Sequence, residues 1–196
     1  MILRRIIYIT VAVLGIAAIW FQMAAERSPR LPVYDSVPDF KLTERSGRAV
    51  TLSDLRGKIW IASFFYAICP GPCPVINGQL SALQEELLKG DDIRFVSIST
   101  EPDTDTPEVL RTYAERFHAS PDKWLFLTGD KEQIFKLSNQ GFRLVAADQN
   151  DPQQPVVHST KLALVDKSGH IRGYYDGTDE TGIAELKEAL KALRRE

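Results

Sequence analysis

The chain has 196 residues, of which 26% are charged, and its formal net charge is −2 at neutral pH. This length allows one domain with a short additional segment, and such a domain buries about 70% of its unfolded surface without needing a disulfide. The mildly acidic composition excludes proteins that bind nucleic acid through a basic face. Only two cysteines occur, Cys69 and Cys73. Because a cross-link stabilises more when it closes a long loop, two cysteines so close together indicate redox or metal chemistry.

The first 25 residues are predicted to be an N-terminal transmembrane anchor. Residues 6–25 carry no charged side chain, and this length of helix spans about 30 Å, the thickness of the hydrocarbon core of a bilayer. Arg4 and Arg5 precede the stretch, which predicts a cytoplasmic N-terminus and an exported C-terminal domain. A cleaved signal peptide, with a weak cleavage site at Gly15 and Ala17, is the alternative. Either interpretation predicts export, to the periplasm of a bacterium or to the intermembrane space of a mitochondrion.

Residues 26–38 contain three prolines and scattered charges, which is typical of a linker, and residues 39–196 are predicted to form one domain. Apolar runs and helical spacings predict strands at 39–42, 49–52 and 58–66, a helix at 75–89, a strand at 93–98, a helix at 107–118, a strand at 124–127, a helix at 131–139, strands at 161–166 and 170–175, and a helix at 181–194. This order indicates an α/β protein with a mixed central sheet flanked by helices. The thioredoxin-like fold fits it best, with insertions near the start and around residues 142–157. Trp60 and Trp124 are expected in the core.

The two cysteines lie in the sequence Cys-Pro-Gly-Pro-Cys-Pro, between a predicted buried strand and the helix that follows it. The prolines predict a loop over residues 69–73, with Cys73 as the helix N-cap and Pro74 at the first helical position. Pro70 and Gly71 together predict a type II turn that folds Cys69 back towards Cys73. A helix N-terminus also stabilises a thiolate. Because thiolates both bind soft metals and attack disulfides, this pattern leaves the two functions open.

The chain offers three histidines as a further ligand. His118 ends a predicted helix, and His170 follows a hairpin turn where we expect it to be exposed to solvent. His158 follows a polar loop and enters the strand at 161–166. In a thioredoxin-like chain that loop lies against the cysteine loop, which distinguishes His158 from the other two histidines. Spacing alone leaves open whether His158 is a ligand or a satisfied loop histidine.

Three segments in this order resemble the SCO/SenC family: FFYAICPGPCPVINGQL, STEPDTDTPEVLRTYAERF and VVHSTKLALVDKSGHIRGYY. The resemblance implies that Cys69, Cys73 and His158 bind a metal. The acidic positions of the family match Glu101 and Asp105, and the resemblance implies that these two carboxylates lie next to the metal ligands, although the family usually has Asp at the first position. Family members often have a polar residue or histidine immediately before the first cysteine, where this chain has Ile68.

Two thiolates and one imidazole suit Cu(I), and with a fourth group they suit Cu(II), although Zn²⁺ accepts the same donors. The resemblance favours one copper per chain. It implies a metallochaperone that delivers copper to, or reduces thiols of, the dinuclear copper site of cytochrome c oxidase. The expected partners are the copper-bearing subunit of that oxidase, other copper or thiol-redox proteins, and the membrane, with no nucleic acid. A disulfide between Cys69 and Cys73 would prevent metal binding.

Two other function classes remain open from the sequence. The first is a thiol–disulfide oxidoreductase or thiol peroxidase on the same fold, although the loop is one residue longer than the usual C-x-x-C. Residues 65–68 also lack the threonine that a peroxidase would place before its reactive cysteine. The second is an inert anchored domain whose cysteines form a structural bridge.

Overall fold

The computed structural model describes residues 15–16, 30–87, 89–144 and 159–196. Apart from Gly15 and Ile16, which are helical, the predicted anchor lies outside these residues. His158 and most of the insertion predicted around 142–157 also lie outside them. Within the part of the chain that is described, every helix is too short or too polar to cross a bilayer.

Eight strands form a single mixed sheet in the order β1-β8-β7-β4-β5-β6-β2-β3. The strands are β1 (Asp35–Ser36), β2 (Lys41–Glu44), β3 (Ala49–Thr51), β4 (Ile59–Phe65), β5 (Ile93–Ser99), β6 (Trp124–Thr128), β7 (Lys161–Val165) and β8 (His170–Asp176). Strands β4, β5 and β6 are parallel, and β7 and β8 add an antiparallel hairpin beside β4. This arrangement is the mixed, thioredoxin-like sheet that the order of elements predicts.

Strand β4 is buried along its whole length because both faces of the sheet are covered. Ile59, Ile61 and Phe65 belong to one apolar cluster, whereas Trp60 and Phe64 belong to the cluster on the opposite face. This alternation follows from the period of two residues in a strand. The predicted core positions of both tryptophans are confirmed, since Trp60 and Trp124 have no exposed surface.

Helices cover the two faces unequally. The helices are α1 (Leu52–Leu55), α2 (Pro72–Leu87), α3 (Pro107–Glu115), α4 (Lys131–Lys136) and α5 (Glu180–Leu193), and a π-helix (Leu137–Gly141) follows α4. Helices α2, α3 and α5 supply the apolar cluster that contains Ile61, and α1, α4 and the π-helix supply the one that contains Trp60. Helix α2 buries Ile76, Leu80, Leu83 and Leu87, the stripe that its sequence spacing predicts.

Part of the predicted linker joins the sheet. Residues of β1 pair with β8, and the neighbouring Val37 is buried. The buried guanidinium of Arg172 in β8 donates to the Leu31 carbonyl at 2.7 Å, to the Pro32 carbonyl at 3.1 Å and to Glu196 at 2.6 Å. We call this set of contacts the Arg172 clamp. It fixes the point at which the chain enters the domain from residue 30.

Helix α5 closes the domain and depends on a side-chain cap. The Asp179 carboxylate accepts a hydrogen bond from the Gly182 backbone N–H at 2.6 Å. Replacing a capping residue with alanine costs about 1 kcal/mol. We expect Asp179→Ala to lower the free energy of unfolding by about this amount, measured by urea denaturation. The control is Asp179→Asn, which keeps the acceptor oxygen, and equal losses in both variants would contradict the capping role.

Candidate metal centre at the cysteine loop

The cysteine loop lies at the carboxyl end of β4, where open α/β sheets place their ligand sites. A turn follows the strand, in which the Cys69 backbone N–H donates to the Tyr66 carbonyl at 3.2 Å. Helix α2 then begins at Pro72, so that Cys73 lies in its first turn. Both cysteines are reduced and buried, with exposed fractions of 6% and 4%.

The loop differs from its sequence prediction in two respects. Pro72 and Cys73 are helical, so Cys73 is not the N-cap. The helix can begin at Pro72 because the N–H groups of the first turn have no helical partners, and a proline, which lacks this group, is accepted there. The type II turn is also wrong, since Gly71 is not among the described glycines with positive φ. The turn that closes on Cys69 and the early start of α2 bring the cysteines together instead.

The environment of Cys69 favours its thiolate. Burial opposes ionisation, but hydrogen bonds to the sulfur outweigh that effect and lower the pKa of Cys69. The donors are the Cys73 thiol, the backbone N–H groups of Cys73 and Gly71, and the Tyr66 hydroxyl. An anion that accepts several hydrogen bonds at a helix N-terminus is stabilised even where water is excluded.

The environment of Cys73 has the opposite effect. Burial, together with donation of its proton to Cys69, raises the pKa of Cys73 to about 12. Burial and donation to Cys69 likewise raise the pKa of Tyr66 to about 12. Cys69 is therefore the first of the pair to ionise, and Cys73 holds its proton much more tightly. A cation that binds both sulfurs has to displace that proton.

Asp105 fixes the loop that carries Cys69. Its carboxylate is buried, accepts from the Ala67 backbone N–H at 2.9 Å and accepts from the Ser99 hydroxyl at 2.5 Å. Ala67 lies two residues before Cys69, and Ser99 ends β5 beside β4. Asp105 thus ties the cysteine loop to the neighbouring strand. The sequence prediction placed it near the site, and the structure brings it into contact with the loop rather than with a sulfur.

Glu101 contributes through its backbone and its charge. Its carbonyl accepts from the backbone N–H groups of Thr104 and Asp105, at 3.1 and 2.8 Å. Its N–H donates to the Ser99 hydroxyl at 3.1 Å. This turn positions the Asp105 carboxylate against the cysteine loop. The carboxylate is near enough to Tyr66 to help raise the pKa of that hydroxyl, after burial and the two cysteines.

A buried polar pair lies beneath the cysteines. The Asn77 amide on α2 donates to the Tyr113 hydroxyl at 3.0 Å, and the Tyr113 ring stacks on Phe65 with centroids 5.1 Å apart. Burial raises the pKa of Tyr113 to about 12, with smaller contributions from Cys73 and Cys69. The phenol therefore stays neutral near the sulfurs, and its ring packs against Phe65, the last residue of β4 before the loop.

Neither of the two described histidines is at the site. His170 lies at the start of β8, with its Nδ1 3.4 Å from Asp166, and it is half-exposed rather than open to solvent as predicted. His118 follows α3 with a positive φ of 51°. His158 lies outside the described residues, so its place as third ligand stays a prediction. Among the residues described, no group of three His, Cys, Asp or Glu side chains could hold a metal ion.

Tyr66 is the site residue that sequence reasoning missed. Its hydroxyl donates to Cys69, although the residue reads as the end of an apolar strand. The available signal was its position: a tyrosine that directly follows a buried strand can bury its ring while its hydroxyl reaches the loop beyond.

The two thiols should differ in reactivity. Since burial is nearly equal and the pKa of Cys69 is lowered while that of Cys73 is raised, iodoacetamide should modify Cys69 first at neutral pH. Peptide mass spectrometry across pH 6 to 9 gives the site of modification. Tyr66→Phe should shift the Cys69 reaction to higher pH, because one donor is lost. Preferential labelling of Cys73 would contradict this assignment.

Removing the Asp105 carboxylate should loosen the cysteine loop. Asp105→Ala leaves the partly buried Ala67 N–H and the buried Ser99 hydroxyl without their shared acceptor, at a cost of about 1–3 kcal/mol in the free energy of unfolding. Asp105→Asn retains one acceptor oxygen and should lose less. Urea denaturation measures both variants, and an unchanged stability in Asp105→Ala would refute the anchoring role.

Comparison with known proteins finds relatives over almost the whole domain. The SCO1/SenC family model matches residues 30–194, which include both cysteines and Asp105. The SCO1 protein homolog of Bacillus subtilis (strain 168) is 28% identical over 163 residues, which cover 82% of this chain and 84% of that protein.

Two solved structures extend the similarity to the fold. BsSco, described as a member of the Sco family of cytochrome c oxidase assembly proteins with a disulfide switch, matches with a TM-score of 0.72 and 26% identity, over 86% of this chain and 99% of that one. Copper-bound ScoI of Bradyrhizobium japonicum matches with a TM-score of 0.62 and 26% identity, over 79% and 99% of the two chains. This chain belongs to the SCO1/SenC family.

Proposed function

We propose that this protein is a copper metallochaperone that carries one copper ion on Cys69, Cys73 and His158. The observation that supports it best is the pair of buried, reduced thiols joined by a hydrogen bond, in which the surroundings of Cys69 favour its thiolate. Thiolate sulfur is a soft donor that selects Cu(I), and an imidazole completes a set that also tolerates Cu(II). Zn²⁺ accepts similar donors, but the relative with bound copper favours copper.

A transfer role fits three ligands better than permanent storage does. Three protein donors leave a position at which the thiolates or imidazoles of a partner can enter before the first ligands leave. The Cys73 proton adds a second control, because its return to the sulfur would favour release of the metal. We propose the copper-bearing subunit of cytochrome c oxidase as recipient, in line with the assembly role stated for BsSco.

Reduction of a disulfide formed by the recipient's cysteines is the second candidate function, and the contrast between the two cysteines favours it. The Cys69 thiolate would attack a disulfide of the recipient and form a mixed disulfide, releasing one recipient thiolate. Cys73, after losing its proton, would attack the Cys69 sulfur and release the second thiolate. The protein is then oxidised to a Cys69–Cys73 disulfide by two electrons, and the recipient is reduced by two. The disulfide form cannot bind copper through these sulfurs.

The predicted anchor and the family together suggest where this chemistry takes place. Residues 6–25 would hold the protein as a single-pass membrane protein with its C-terminal domain exported. In that compartment the site would meet copper proteins and oxidised thiols, which are the partners that either function requires.

An anaerobic Cu(I) titration of the reduced full-length protein, in competition with a strong chelator, tests the main proposal. We expect one tightly bound copper, which is lost in Cys69→Ser and Cys73→Ser. We expect the affinity to fall at least about tenfold in His158→Ala, a loss of roughly 1.4 kcal/mol or more. His118→Ala and His170→Ala are the matched controls and should bind as the unchanged protein does, since neither ring is near the cysteines.

The outcomes separate the two candidate functions. Absence of tight copper, with disulfide reduction that survives His158→Ala, would replace the metallochaperone proposal with the thiol reductase. Equal losses in all three histidine variants would refute the specific role of His158.

A further inference from the structure

Large apolar side chains are exposed around the cysteine loop. Ile68, Val75 and Val109 have exposed fractions of 79%, 48% and 38%. Ile68 immediately precedes Cys69, Val75 lies in the first turns of α2, and Val109 lies in the first turn of α3. Helix α3 follows β5, which is parallel to β4, so all three residues are at the same end of the sheet. We call these three residues the apolar rim. Exposed apolar groups that surround a site mark a surface that a partner covers.

The chain enters the domain at the opposite end of the sheet. Ile171 pairs with Val165, and Val165 pairs with Trp60 near the start of β4. The Arg172 clamp follows Ile171 directly, so it lies beside the start of β4, at the end of the sheet opposite the cysteine loop. The end of α5 lies at this same end of the sheet, because Arg194 binds Asp92, which directly precedes β5, at 2.7 Å. The five residue steps along β4 from Trp60 to Phe65 span about 17 Å, and the cysteine loop lies beyond Phe65.

The segment between the predicted anchor and the clamp is short. Residues 26–29 separate the apolar stretch at 6–25 from residue 30, and the five steps from residue 25 to residue 30 reach at most about 18 Å. The clamp ties the next residues to the domain through both carbonyls and through the Leu31 N–H, which donates to Glu196 at 2.9 Å. With the predicted anchor in the bilayer, the clamped end would lie close to the bilayer, and the apolar rim would lie at the opposite end of the domain.

We infer that the apolar rim is the docking surface for a copper-binding domain of a partner protein that stands clear of the bilayer, and that it does not contact lipid. This inference rests on the proposed function and on the predicted anchor. The cysteines are almost fully buried, so a partner's ligands can reach the metal only if its surface closes over the loop. The three rim side chains add contact area without charges of their own to desolvate, which would oppose docking.

Copper transfer rates test the docking surface. The full-length protein is loaded with Cu(I) and mixed with the soluble copper-site domain of the cytochrome c oxidase subunit, or with bathocuproine disulfonate, which needs no docking. We expect Ile68→Ser/Val75→Ser to bind copper normally, to transfer it to the domain at least about tenfold more slowly, and to lose it to the chelator at an unchanged rate. The control is Val33→Ser, which changes a residue with an exposed fraction of 62% beside the clamp.

The results distinguish the inference from the proposed function. An unchanged transfer rate to the domain in the rim variant would overturn the docking surface alone. Failure of the unchanged protein to hold copper would overturn the proposed function and the inference with it.

The orientation is measured on the full-length protein in nanodiscs that contain spin-labelled lipid headgroups. Methyl resonances of Leu31 and Leu193, at the clamped end, should broaden strongly, whereas those of Ile68 and Val75 should keep their intensity. Equal broadening at both ends would show that the rim contacts the membrane, and it would overturn the inference.

Discussion

The hydrogen bond between two buried thiols is the interaction on which the rest of this site depends. It places the Cys69 and Cys73 sulfurs close enough to share a metal ion or to form a disulfide, and it divides their protons unequally. Each partner has its own support. Tyr66 and the first turn of α2 stabilise the charge on Cys69, and burial keeps the proton on Cys73. A soft cation and an incoming disulfide would both find the same thiolate, which explains why one site can serve copper transfer and thiol reduction.

The fold holds this pair at one end of the sheet and the Arg172 clamp at the other. Strand β4 fixes the start of the cysteine loop because it is buried on both faces, and Asp105 ties the loop to β5. The Arg172 clamp makes the tether part of the domain rather than a loose linker. With the predicted anchor at residues 6–25 in the bilayer, strand register and the clamp would together set the orientation of the domain that we propose.

Much of the fold could be predicted because it depends on local patterns. The apolar run of β4 and the helical spacing of Ile76 and Leu80 in α2 reflect burial that is periodic in sequence. The attachment of the linker to the domain could not be predicted, because its prolines do not indicate that Arg172, some 140 positions later, binds two of its carbonyls. The predicted type II turn at the cysteines is wrong for a similar reason. Helix α2 begins at Pro72 as it packs in the domain, against the local preference for a turn at Gly71. Asp105 was placed near the site only by family resemblance, since its contact with Ala67 is long-range.

The central claim is that Cys69, Cys73 and His158 converge on one copper ion. X-ray absorption spectroscopy of the Cu(I)-loaded protein measures this convergence directly, because sulfur and imidazole scatter distinguishably. The account predicts two sulfur ligands and one imidazole, with the imidazole signal lost in His158→Ala and retained in His170→Ala. A first shell of sulfur alone, or an imidazole signal that survives His158→Ala, would contradict it.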